Sequence, residues 1–217
     1  MILASGCSFT DDKYDSKLVT WPHLIAKEKK TKATNLGLRR VGNEFIADRL
    51  IEELNKDIVV YDEVYILWSG LGRYHYKIKD DSYTHHNLSN YNYLIMPNHT
   101  IQIGPHHFID KFMHTVYKTQ CICEKMKVKL TQMQALIYPY GKENDKYKTS
   151  DLCKAIIEHP LYNHITNFIG WPMFKDIGGK YWIDRNNYED QEYFDSSGHP
   201  TQKGHQKIAD TFLNKGE

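Results

Sequence analysis

The 217-residue sequence has little that would force a special class of protein. It holds four cysteines (Cys7, Cys121, Cys123 and Cys153) in 217 residues, with no paired CxxC and no disulfide-scaffold spacing. That pattern points to a reducing, cytoplasmic setting. Neither sign of charge is in excess, since 28 basic residues face 27 acidic ones. Nucleic-acid-binding domains usually carry a strong basic surplus, so nucleic acid is not expected as a partner. No window approaches the roughly 18–20 apolar residues of a membrane span. The opening apolar run, Ile2 to Ala4, is too short for a secretory signal. No repeat and no low-complexity tract divides the chain, so one domain over residues 1–217 is expected.

Aromatic and imidazole side chains are what the sequence has in quantity: 16 Tyr, 4 Trp and 12 His. Many fall in one polar stretch, "RYHYKIKDDSYTHHNLSNYNYLIMPNHTIQIGPH" at about 73–106. It reads as a loop insertion, with "YNYLIMPNHTIQIG" able to form a hairpin turning at Pro97-Asn98. Around it, regular elements alternate. Ile2-Ala4, "KATNLG", "DEVYILWSG" and "TQMQALIYP" read as strands. "TWPHLIAKEKK", "GNEFIADRLIEELNK", residues 108–129 and "PTQKGHQKIADTFLNKG" read as helices. Alternation of this kind predicts βαβ units: an α/β, three-layer α/β/α sandwich with a mostly parallel central sheet, flavodoxin-like. Ligands of such sheets bind beyond the carboxyl ends of the strands. That rim would carry Ser8, the Gly37–Gly42 loop and Ser69-Gly70.

The first strand breaks off into Ser5-Gly6-Cys7-Ser8. A serine hydroxyl attacks only if a base takes its proton and donors hold the developing oxyanion. The plainer role for Ser8, Thr10 or Asp11 is to cap a following helix. Near the other end, "DSSGHPTQKGH" sets Asp195 four residues before His199. A carboxylate can fix an imidazole's tautomer from such a spacing; the plainer reading is a turn with a solvated histidine. Cys7 is a rival nucleophile, but neighbours on an extended chain face opposite sides, and Cys7 suits the core. His85-His86 and His106-His107 lack metal-site spacing, so no metal is expected.

Taken together, "SGCSFT" and "DSSGHPTQKGHQKIA" resemble the first and last motifs of the SGNH (GDSL-type) hydrolase superfamily. "TWPHLIAKE", "NLGLRRVGNEFI" and "VYILWSG" are similar in order and spacing to its second and third blocks. The subgroup reading "GCSFT…WP…N…GN", which we associate with phage and bacterial proteins, looks closest. The match covers about the first 73 and last 25 residues. The resemblance implies a serine esterase or deacetylase that hydrolyses an O-acyl ester without a cofactor. It makes Ser8 the nucleophile, His199 its base and Asp195 the residue that orients His199. It also gives the backbone N–H groups of Ser8 and Gly42 to the oxyanion hole.

Three departures stand out. Cys7 occupies the place of the family's Asp. "WSGLGR" lacks the third-block Asn that completes the oxyanion hole, leaving Asn43, Ser69 and Arg73 as substitutes. The family's Asp position falls on Ser196, one residue after Asp195. Two rival functions follow: a catalytically inactive ligand-binding relative, and an acyltransferase using the same Ser and His. Tyr74, Tyr91 and Trp182 are candidates for stacking on a sugar ring, so a small-molecule or glycan ester is the expected substrate. The sequence leaves the oligomeric state open.

Overall fold

A computed structural model describes residues 1–56, 58–71, 73–77, 83–87, 93–96, 99–102, 105–136, 149–180 and 192–214. For 74–77, 83–87, 93–96, 99–102, 105 and 149 it describes the backbone alone. Five strands form one parallel sheet: β1 (Ile2–Gly6), β2 (Ala33–Asn35), β3 (Glu63–Trp68), β8 (Lys129–Gln134) and β9 (Phe168–Ile169). Their order is β2-β1-β3-β8-β9, the flavodoxin-like arrangement. The register pairs Ile2 with Ala33 on one side and with Glu63 on the other. β1 and β3 are interior strands of the sheet, mostly apolar apart from Ser5 and Glu63. Both are buried on two faces, which is why they read as continuous apolar runs rather than alternating ones.

Helices cover both faces. α1 (Trp21–Glu28) packs against α5 (Gln202–Phe212) on one side. On the other, α2 (Asn43–Leu54) packs against α3 (Pro105–Lys125), and α3 against α4 (Thr149–Ile157). Trp21 and Phe212 join the first pair, with ring centroids 4.8 Å apart. Trp68 is fully buried and meets Phe112 of α3 edge-on at 6.1 Å. Its indole N–H donates to Gln132 Oε1 at 3.0 Å, so the polar end of that large side chain is satisfied. Each fully buried core side chain of this size contributes roughly 1.5–3 kcal/mol of transfer free energy.

The region expected as a loop insertion is corrected in its first half. β4 (Arg73–Lys77) pairs antiparallel with β5 (Tyr83–Asn87), setting Arg73 opposite Asn87. Tyr recurs through both strands and Thr joins it in β5; both residue types favour extended backbone, so the polarity that suggested a loop did not prevent a ribbon. The second half forms the expected hairpin: β6 (Tyr93–Met96) pairs with β7 (His99–Gln102), Met96 opposite His99. Among the described residues no helix is long and apolar enough to cross a membrane.

Candidate functional site

In the strand order above, β1 and β3 lie side by side while their following connections run to opposite faces. In sheets of this kind, ligands bind at such a divergence, beyond the carboxyl ends of the strands. The chain leaves β1 through Gly6, where a Cβ would stand 2.2 Å from Thr10 Oγ1 and 2.9 Å from the Leu67 carbonyl. Only glycine fits so close an approach. No helix starts here. The Thr10 N–H closes a turn on the Cys7 carbonyl at 2.9 Å, and α1 begins only at Trp21. The helix-cap reading of Ser8 is therefore overturned.

Residues distant in sequence hold this turn. The Trp21 indole donates to Thr10 Oγ1 at 3.2 Å. Asn35 Nδ2 donates to the Thr10 carbonyl and to Asp12 Oδ1, both at 2.6 Å, while Asn35 Oδ1 accepts the Gly37 N–H at 2.8 Å. Gly37 lies so close that a Cβ would come within 2.3 Å of the Thr10 backbone. Cys7 is fully buried in the core, and Ser8 is 8% exposed.

His199 comes to Ser8 from the loop before α5. Its Nε2 lies 3.2 Å from Ser8 Oγ, across 191 residues of chain. Gln202 ties the two loops, accepting the Val19 N–H at 2.9 Å and donating to the Val19 carbonyl at 3.0 Å. Thr201 caps α5, its hydroxyl accepting the Gly204 N–H at 3.2 Å.

Around His199 the network is dense. Asp195 Oδ1 accepts the N–H groups of Ser197 (2.8 Å) and His199 (3.0 Å) and the Ser197 hydroxyl (2.5 Å). Ser197 Oγ is in turn 2.9 Å from His199 Nδ1. The extra residue between Asp195 and His199 is absorbed where Gly198 adopts φ +76° and its N–H returns to the Asp195 carbonyl at 2.9 Å. Burial pushes the Asp195 carboxyl up, but the Ser197 hydroxyl and the two N–H donors outweigh it and hold it below its ordinary range. Tyr14 stacks on the imidazole, centroids 4.0 Å apart and planes 22° from parallel, and Phe9 meets it edge-on at 5.6 Å.

The expected oxyanion donors divide. The N–H groups of Ser8 and Gly42 donate to no group of the described chain. Gly42 is also the N-cap of α2, so the positive end of that helix lies beside it. Asn43 is corrected. Its amide donates to the carbonyls of Ser69 (3.3 Å) and Gly70 (3.4 Å), and its Oδ1 accepts the Ser69 N–H at 2.8 Å. It is a brace between α2 and the end of β3. Ser69 is fully buried and its N–H is taken by Asn43, while its hydroxyl has no partner among the described residues. Arg73 lines a crevice with Glu44 of α2 and Lys111 and Phe112 of α3. Tyr91 and Trp182 lie outside the described residues, and Tyr74 is described only through the backbone of β4.

Among the described residues, one other cluster has the composition of a metal site. Asp110 and His114 of α3 and His159 beyond α4 bring ligand atoms within 4.8 Å of one another. However, His159 Nδ1 accepts the Leu161 N–H at 3.1 Å, which assigns the ring proton to Nε2, 3.4 Å from Asp110 Oδ1. The nitrogen a metal would need is already a donor, so the cluster is a polar clasp between α3 and the turn after α4.

The fold so defined is that of the G-D-S-L lipolytic proteins and related esterases. The chain aligns over 99% of its length with a G-D-S-L family protein from Desulfitobacterium hafniense, at 12% identity, TM-score 0.55 and 98% coverage of that chain. Esterase EstA from a Pseudoalteromonas species aligns over 99% of this chain and 94% of its own, at 13% identity and TM-score 0.56. An acetyl xylan esterase aligns over 98% of both chains, at 13% identity and TM-score 0.51. No family model matches the sequence, and no curated protein matches it.

Proposed function

We propose that this protein is a serine ester hydrolase acting on an O-acylated small molecule or glycan, with Ser8 as nucleophile and His199 as general base. The single observation carrying the reading is the 3.2 Å contact between Ser8 Oγ and His199 Nε2 at the carboxyl end of β1. A hydroxyl that donates to an imidazole nitrogen can lose its proton as its oxygen attacks a carbonyl carbon. The new C–O bond pushes the carbonyl pair onto oxygen, where the unengaged N–H groups of Ser8 and Gly42 would meet it. His199 then returns the proton to the departing alcohol as the tetrahedral intermediate collapses. Water repeats the cycle against the acyl-enzyme, which releases the acid and restores Ser8. The esterases of the same fold support ester chemistry, and the acetyl xylan esterase among them supports an acetylated carbohydrate as the first substrate class to try.

The test is labelling with a fluorophosphonate, read by intact mass. The wild type should gain one phosphonyl group. Ser8→Ala should gain none, and His199→Ala should react at least ~10³-fold more slowly, as removing a member of such a pair does elsewhere. A folded wild type that stays unlabelled would replace this reading with binding alone.

A further inference from the structure

We propose that Ser197 is a positioning residue whose hydroxyl connects Asp195 to His199, with Tyr14 fastening that connection; the inference rests on the reading of Ser8 and His199 given above. Ser197 Oγ has three neighbours: Asp195 Oδ1 at 2.5 Å, His199 Nδ1 at 2.9 Å and the Tyr14 hydroxyl at 2.9 Å. A serine hydroxyl offers one proton and two lone pairs. The ionised Asp195 has no proton to give, so the Ser197 proton must point to it. The other two neighbours must then both donate, Tyr14 through its O–H and His199 through Nδ1–H. Every valence of Ser197 Oγ is filled, and one assignment remains.

That assignment fixes the neutral imidazole with its proton on Nδ1 and its lone pair on Nε2, facing Ser8. A general base needs this tautomer, and a histidine without a committed partner at Nδ1 divides between both. Asp195 and Ser197 are exposed, so solvent weakens any through-space effect of the carboxylate. The hydroxyl supplies a local connection instead. When His199 takes the Ser8 proton, the charge on the ring is met through a chain of polarised hydrogen bonds ending on a carboxylate. Tyr14 adds two constraints from the opposite end of the sequence. Its ring lies nearly parallel to the imidazole at 4.0 Å, and its hydroxyl holds Ser197. A stacked aromatic face also favours a cationic ring over a neutral one.

The experiment uses full-length protein with ¹⁵N-labelled histidine. The imidazole nitrogen shifts of His199 report its tautomer, and fluorophosphonate labelling reports the reactivity of Ser8. In the wild type, Nδ1–H should dominate the neutral form. Ser197→Ala should lose that dominance and slow labelling about 10–100-fold, the range expected for an outer partner of a reactive group. Ser197→Thr keeps the hydroxyl and should restore both readouts. Asp195→Ala and Ser197→Ala should be non-additive in the double variant, because they break one chain of contacts. Wild-type tautomer and labelling rate in a folded Ser197→Ala, or failure of Ser197→Thr to rescue, would overturn the proposal. A wild type that takes no label would sink the hydrolase reading instead, and the tautomer measurement would then decide the relay by itself.

Discussion

His205 is the buried imidazole that the proposed chemistry leaves unused. It lies on α5, only 4% exposed, and its Nδ1 has no hydrogen-bond partner among the described residues. Burial pushes it down to about 4, with Asp12 pulling weakly the other way. The unfolded chain takes up that proton near the ordinary histidine value of ~6.5, whereas the folded chain refuses it. Its stability contribution is therefore complete above ~6.5 and falls as pH drops towards 4, by about 3 kcal/mol in all. Urea midpoints measured between pH 7.5 and 4 should show this slope in the wild type and a flattened one in His205→Leu. An equal slope in both would mean the titrating group lies elsewhere. Asp195 acts in the same direction over a lower window. Its depressed carboxyl stabilises at neutral pH, and that help is lost as pH falls through its folded value.

At the scale of elements, the turn after β1 is determined by residues on other strands. Gly37 follows β2, yet its missing side chain is what lets the Thr10 backbone pass. Gly37→Ala should displace that turn and slow Ser8 labelling at least ~10-fold, with a loss of about 1–3 kcal/mol in stability from the overpacked contact. Unchanged labelling would show that the turn tolerates the displacement. The legibility of the sequence divides along the same lines. β1, β3, α2 and α5 were readable because burial on two faces, or at helical spacing, imposes a pattern on consecutive residues. β9 is two residues long, Phe168–Ile169, and carries no period; α4 follows a stretch with no strong pattern to announce it. Ser8 and His199 were legible as a pair of motifs at the two chain ends. Tyr14 and Ser197 were not, since their contact spans 183 residues and nothing local marks either side chain. Asn43 was read as a donor from its place beside Gly42, but a buried amide goes to whatever backbone groups lack partners, here Ser69 and Gly70.

For the whole molecule, the candidate centre is a joint between the first and last segments of the chain. Gln202 makes that joint through two hydrogen bonds to Val19. Gln202→Ala removes both and should cost about 1–2 kcal/mol. It should also slow labelling of Ser8 without changing the reactive group itself. A variant that loses stability but labels at the wild-type rate would show that the loops hold their positions without this tie.

The separation of 191 positions between Ser8 and His199 also has a meaning in time. A ribosome adding about 5–20 residues per second completes β1 and Ser8 roughly 10–40 s before it adds His199. Throughout that interval the nascent chain carries a serine with no base beside it. On the proposed reading, the emerging polypeptide would stay unreactive towards esters until His199 has been added.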